Sequence, residues 1–236
     1  MADGLAQLEW SPEMIAADLP VSGLLYPPQP SFHPARSREF DGLHGFLSDS
    51  LPEGWGHLVV RRRLSRLGVN IGALTPLDRL ALVGNGGRGA LTRPATAPPP
   101  EVQSLDLDAL AKESQVILAG DEGELAATLA TLGGGSGGAR PKIHVGFDAQ
   151  GRISVSEGET TPGHEAWIVK FATPKRPGPH RPPRGGLRGH GRGRSLGDGT
   201  LSPAALPIRP RLFRHPSFDQ PEPGRRLHMV SLSGAV

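Results

Sequence analysis

The chain has 236 residues, no cysteine and a formal net charge of +3 at neutral pH. The lack of cysteine excludes a disulfide framework and any cysteine-ligated metal site. No apolar run approaches the length that spans a bilayer and no signal-peptide pattern is present, so we expect a cytoplasmic protein that does not contact membranes.

The charge is distributed unevenly along the chain. Residues 175–214 contain ten Lys or Arg and one acidic residue, Asp198, which gives a local charge of +9 and leaves 3 − 9 = −6 for the rest. The same segment is rich in Gly and Pro, and its apolar content is too low to offset the entropy of ordering. We therefore predict that residues 175–217 form a basic, disordered segment.

The N-terminal third of the chain predicts short elements of both kinds. Residues 5–10 alternate like a strand, and Ser11-Pro12-Glu13 is typical of the cap and first turn of a helix. A longer helix follows Gly56 and ends near Gly68, because glycine is common just past a helix terminus. Thr75-Pro76 starts the next helix.

Several conspicuous side chains in this region are expected to be structural. His44 and His57 each lack a carboxylate partner at a fixed spacing, Trp55 lies between two glycines like a packing anchor, and the run 61–63 of three arginines diverges around a helix. We therefore assign no catalytic residue and no metal ligand to the chain.

Residues 95–100 are a proline-rich connection, and two predicted helices follow at 104–118 and 122–132. The second helix leads into Gly-Gly-Gly-Ser-Gly-Gly-Ala-Arg-Pro-Lys, residues 133–142, which we call the glycine loop. Its glycines allow positive φ and can turn N–H groups inward to form a nest for a phosphate. Lys142 could add a positive charge to the same site.

Three short strands are predicted after the glycine loop, at 143–147, 153–155 and 166–171, and the last of them carries Lys170. A glycine-rich turn with a lysine on a neighbouring strand is the arrangement that kinases use to hold nucleotide phosphates. A flexible linker is the alternative interpretation of the loop. The spacing does not match a P-loop.

Several motifs resemble the HipA-type proteins. They are Phe-Asp-Gly-Leu at 40–43, Asp-Ser-Leu-Pro-Glu-Gly-Trp-Gly at 49–56, Leu-Asp-Arg-Leu-Ala-Leu-Val-Gly at 77–84, Gly-Gly-Ala-Arg-Pro-Lys at 137–142 and Trp-Ile-Val-Lys-Phe at 167–171. The resemblance covers about residues 5–174, stops from 175 to about 217, and returns over 218–234.

HipA-type proteins are bacterial serine/threonine kinases that form the toxin half of toxin–antitoxin pairs. The resemblance implies ATP and Mg²⁺ as cofactors, a protein substrate, and a HipB-like DNA-binding antitoxin as partner, through which DNA would be contacted indirectly. It implies that phosphates are contacted by the loop and two lysines: Gly137, Gly138, Ala139, Lys142 and Lys170. Family members carry a regulatory phosphorylated serine in this loop. Its position here is Gly135, so that Ser136, one residue later, is the candidate.

The interruption at 175–217 suggests a frameshift. Codons can be chosen for residues 185–193 so that dropping one base reads Glu-Ala-Tyr-Ala-Ala-Met-Ala-Ala, the kind of helix that the family has there. The alternative is a true basic tail that binds RNA by charge and cation–π contact. We also expect a truncated kinase domain without the aspartates that accept the substrate proton and hold Mg²⁺, and hence a chain that is inactive alone. Asp219, near the nucleotide pocket, takes neither role.

The sequence thus predicts an α+β chain in five parts. They are a HipA-like sheet-and-helix lobe at 1–94, a helical connection at 95–132, the first antiparallel strands of a kinase-like lobe at 133–174, the basic segment at 175–217 and a short remnant at 218–236. The predicted function is that of a HipA-like toxin fragment. The alternative is a non-enzymatic module that binds the antitoxin or nucleic acid.

Overall fold

A computed structural model describes residues 3–22, 24–83, 86–87, 89–91, 105–121, 123–133, 135–155, 160–172, 207–209 and 212–235. The helices are α1 (Pro12–Ala17), α2 (Gly45–Ser48), α3 (Trp55–Arg66), α4 (Pro76–Val83), α5 (Leu107–Ala119) and α6 (Ala126–Gly133). The strands are β1 (Gln7–Glu9), β2 (Phe32–Pro34), β3 (Lys142–Phe147), β4 (Ile153–Ser154), β5 (Glu165–Phe171), β6 (Pro207–Arg209) and β7 (Leu212–Pro216). The fold is α+β, as the sequence predicted.

The N-terminal elements form where local chemistry predicted them. Strand β1 pairs antiparallel with β2, with Gln7 opposite Pro34. The Ser11 hydroxyl accepts a hydrogen bond from the Met14 N–H and caps α1. At the start of α4, Thr75 and Asp78 exchange hydrogen bonds, since the Thr75 N–H donates to Asp78 and the Asp78 N–H donates to Thr75.

The larger sheet has the strand order β4-β3-β5-β7-β6, and all its neighbouring strands are antiparallel. The predicted strands at 143–147, 153–155 and 166–171 are confirmed as β3, β4 and β5. Gly151, with φ of +79°, occupies the turn between β3 and β4. In the register of β3 and β5, Lys142 lies opposite Lys170 and His144 opposite Ile168.

One hydrophobic core joins helices α3, α5 and α6 to one face of this sheet. Its fully buried members include Trp55 and Val59 of α3, Leu129 of α6, and Ile143 and Val169 of the sheet. The core therefore runs across the boundaries that the sequence predicted at 94/95 and 132/133. The helical connection packs on the sheet and is part of the same structural unit.

Part of the segment predicted to be disordered belongs to this sheet. Pro207–Arg209 and Leu212–Pro216 are strands, and β7 pairs with β5 along five residues from Phe171 opposite Leu212 to Trp167 opposite Pro216. For these residues the prediction is wrong, because Leu212 is buried in the core and β5 supplies a pairing edge that average composition does not reveal. Residues 173–206, including the proposed frameshift, lie outside the described part.

The last described residues, 217–235, pack back onto the N-terminal region. The Ser231 hydroxyl donates to Asp49 at 2.8 Å, and the His228 ring contacts the Val21 carbonyl at 2.6 Å. Asp219 is fully buried and accepts hydrogen bonds from the Gly89 N–H at 3.0 Å and the Ser217 hydroxyl at 2.7 Å. The predicted remnant is thus a docked part of the fold. In the described ranges, no helix has the length and apolar character needed to cross a bilayer.

Replacing Asp219 by Ala tests this docking. The change removes the acceptor of two buried donors, so we expect the free energy of unfolding to fall by about 2–4 kcal/mol. Asp121→Ala, at an exposed position after α5, is the control and should change it by less than about 0.5 kcal/mol. Denaturant titration measures both variants. Equal effects would contradict a buried structural role for Asp219.

Candidate functional site

The glycine loop lies between the end of α6 and the start of β3. Gly138 adopts φ of +75°, in the left-handed region that glycine favours. Residues 137–140 are exposed, whereas Ser136 is buried. The loop is therefore a short exposed turn whose two ends are anchored in the core.

Helix α3 supports the loop from one side. The Trp55 backbone N–H donates to the Gly138 carbonyl at 2.9 Å. The indole Nε1–H of the same residue donates to the Lys142 carbonyl at 3.0 Å. Trp55 is the packing anchor that the sequence predicted, but its hydrogen bonds to residues 83 and 87 positions away could not be inferred from local spacing.

Lys142 and Lys170 form the electrostatic centre of the site. They are cross-strand neighbours on one face of the sheet, where like charges directly opposite each other destabilise the pairing. Burial, and to a smaller extent the Lys170 charge, lowers the pKa of Lys142 to about 8. Burial and the nearby Arg140 guanidinium lower the pKa of Lys170. Three cationic groups therefore converge beside the glycine loop.

The Lys142 ammonium group contacts the carbonyl side of the loop. It donates to the Gly137 carbonyl and lies 3.5 Å from that of Gly138. The C=O and N–H of a trans peptide point in opposite directions, so the Gly138 and Ala139 N–H groups point away from this ammonium. The lysine and the loop N–H groups, expected to share one anion site, face different sides of the loop.

Within the described ranges, the N–H groups of Gly137, Gly138 and Ala139 donate to no other residue. The Lys142 ammonium, by contrast, is held by carbonyl oxygens that a stronger anionic acceptor could replace.

Ser136 is buried and paired with a residue that sequence reasoning did not single out. Its hydroxyl lies 2.8 Å from Nε2 of His144, and the residue is only 2% exposed. Modification of Ser136 therefore requires the loop to open. His144 follows Lys142 by two residues, and residues two apart in a strand lie on the same face of the sheet. This spacing is the sequence feature that could have indicated His144 as a neighbour of the site.

A small cleft begins at His144 and extends between the sheet and the segment 217–220. Its polar lining comes from Thr131, Thr160, Ser217 and Gln220, and the Thr160 hydroxyl donates to the Gln220 side chain at 2.8 Å. His144, where the cleft starts, is two residues from Lys142 along β3. The two residues are therefore roughly 7 Å apart along the strand.

The remaining polar candidates have structural contacts. The His44 ring contacts the His33 carbonyl at 2.8 Å, and burial lowers its pKa. Arg62 and Arg66 donate to the carbonyls of Gly120 and Glu124, so they join α3 to the residues after α5. In the part of the chain that the structure describes, no group of three or more His, Asp or Glu side chains could hold a metal ion.

The described part thus combines an N-terminal sheet-and-helix region with an antiparallel sheet that bears a glycine-rich loop and paired lysines. Residues 1–93 match the family model of the HipA N-terminal domain. This match identifies residues 1–93 as a HipA N-terminal domain. No curated protein and no solved structure matches the chain.

The pKa of Lys142 tests the coupling of the two lysines. Lys170→Met removes one cause of its depression, so the pKa of Lys142 should rise above about 8 while staying below its ordinary value, because burial is the larger cause. A titration followed by NMR of the Lys142 side chain measures the change. Lys112→Met, on the exposed side of α5, should leave the pKa of Lys142 unchanged. Equal pKa values in all three proteins would show that Lys142 and Lys170 do not interact.

Proposed function

We propose that this chain binds the phosphates of ATP beside the glycine loop. The observation that carries the proposal is the register of β3 and β5, which sets Lys142 directly opposite Lys170 at the end of the loop. Two partly buried lysines in this relation cost stability in the free protein. Perturbed titratable groups of this kind cluster at functional sites.

A polyphosphate is the ligand class that best fits this charge. Burial disfavours the charged forms of both lysines, Lys170 adds repulsion at Lys142, and Arg140 adds repulsion at Lys170. A bound anion would offset both effects. Arg140 would add a third positive charge at the same end of β5. In binding, the phosphate would replace the Gly137 carbonyl as the partner of the Lys142 ammonium.

The cleft that begins at His144 lies roughly two β-residues from the lysine pair, a spacing of about 7 Å. Its volume is about 30 Å³, which has room for a water molecule or two and not for a base or a ribose. The hydroxyl groups of its threonines and serine already donate within the protein: Thr131 to Ala127, Thr160 to Gln220 and Ser217 to Asp219. We therefore propose a site for the phosphates alone.

The proposal is limited to binding. Magnesium would arrive with the phosphates, and the described side chains offer it no cluster of carboxylates. In the HipA-like kinases, the γ-phosphate of the bound ATP would be transferred to a Ser/Thr protein target, and the described residues support the binding step. The HipA N-terminal domain favours a HipB-like antitoxin as the protein partner.

Calorimetric titration with ATP and Mg²⁺ tests the proposal. Lys142→Ala and Lys170→Ala should each weaken binding about tenfold or more, because each removes a charge-assisted hydrogen bond. Affinity should also fall as the pH rises through about 8, where Lys142 loses its proton.

Lys112→Ala is the matched control, since this lysine is exposed on α5 and its loss should leave ATP affinity unchanged. If the wild-type chain does not bind ATP, or if Lys112→Ala weakens binding as much as the other two variants, the nucleotide site is wrong. Binding to the antitoxin would then be the function to test.

A further inference from the structure

We propose that Trp55 is a positioning residue that sets the conformation of the glycine loop, so that the HipA N-terminal domain controls the proposed nucleotide site. The inference rests on the nucleotide-binding function proposed above. Trp55 contacts the site through the carbonyls of Gly138 and Lys142, so its role would give the N-terminal domain a part in the site.

Trp55 binds the loop at two points. Its backbone N–H holds the Gly138 carbonyl at 2.9 Å and its indole N–H holds the Lys142 carbonyl at 3.0 Å. The two acceptors lie on either side of Ala139 and Arg140. Fixing both of them restricts the turn whose carbonyls at Gly137 and Gly138 contact the Lys142 ammonium.

The main core fixes Trp55 itself. The residue is 1% exposed and packs with Val59, Ile143 and Val169. A buried ring in a close-packed core has little freedom to move. The loop is thus tied to a rigid point and not to a surface side chain.

Two glycines leave room for the contact between Trp55 and the loop. A Cβ atom at Gly133 would lie 2.6 Å from the Lys142 carbonyl oxygen and 3.1 Å from the Trp55 indole nitrogen. A Cβ atom at Gly54 would lie 2.7 Å from the carbonyl carbon of Gly138. Side chains at either position would separate α3 from the loop.

Gly54 also has φ of +52°, a conformation that favours glycine. Gly54 is the N-cap of α3 and directly precedes Trp55. Its backbone conformation therefore directs the Trp55 N–H toward the loop. The Glu-Gly-Trp-Gly motif, which resembles the HipA family, therefore positions a loop that lies more than 80 residues further along the chain.

Backbone dynamics test the proposal without any ligand. In the wild type, the ¹⁵N order parameters of Gly137, Gly138 and Ala139 should be close to the rigid value of about 0.85. In Trp55→Phe, which keeps a ring but loses the indole donor, they should fall below about 0.6. The ATP affinity of this variant should fall roughly tenfold.

Trp10→Phe is the control for the loss of an indole in the core. Trp10 packs with Tyr26 and Phe46 in a separate cluster, and its indole nitrogen is buried without a partner among the described residues. Its replacement should leave the loop order parameters and the ATP affinity unchanged.

A second pair of variants covers the case in which Trp55→Phe does not fold. Gly54→Ala should lower the order parameters of the loop. Gly68→Ala is its control, because Gly68 also has a positive φ, +71°, but has no atom within 4 Å of the new Cβ. This variant has only the backbone strain, so the order parameters of the loop should not change. Unchanged order parameters in Trp55→Phe, or equal effects in the two glycine variants, would overturn the role of Trp55. A wild-type chain that binds no ATP but whose loop loosens in Trp55→Phe would overturn the nucleotide site and keep the positioning role.

Discussion

The contact on which the rest of the structure depends is the double hydrogen bond of Trp55 to the glycine loop and β3. The ring is buried among α5, α6 and the sheet, while its two N–H groups reach the carbonyls of Gly138 and Lys142. A single residue thus closes the main core and anchors the exposed loop. Because Trp55 belongs to the HipA N-terminal domain, this domain and the sheet form one packed unit.

The second constraint is the cost of the lysine pair. Lys142 and Lys170 lie opposite each other in a partly buried position, and Arg140 adds to the repulsion. In the free protein, the loop carbonyls partly compensate for the buried charge of Lys142 by accepting hydrogen bonds from its ammonium group. A phosphate would compensate more completely, because a charge-assisted hydrogen bond is stronger than one to a neutral carbonyl. The pair is destabilising for the fold and suited to an anionic ligand.

Much of the fold followed from the sequence because its signals are local. The cap at Ser11, the start of α4 at Thr75 and the β-turn at Gly151 depend on residues within a few positions of each other. The features that the sequence did not predict depend on contacts with residues in other elements of the fold. Strand β7 lies in a stretch whose average composition is basic and rich in Gly and Pro, and only its pairing with β5 makes it a strand. The Ser136–His144 contact likewise needs the loop to fold over β3.

For the site, the local features were likewise predictable and the contacts between elements were not. The residue types of both lysines and the strand position of Lys170 were predicted. The sequence placed Lys142 in the glycine loop, whereas it is the first residue of β3, and neither the cross-strand register nor the direction of the loop carbonyls was predicted. The most direct test is the pKa of Lys142, measured by NMR with and without saturating ATP and Mg²⁺. The account predicts a rise from about 8 when ATP binds, because the phosphates stabilise the charged ammonium. An unchanged pKa in an ATP-bound protein would place the phosphates elsewhere and contradict the site.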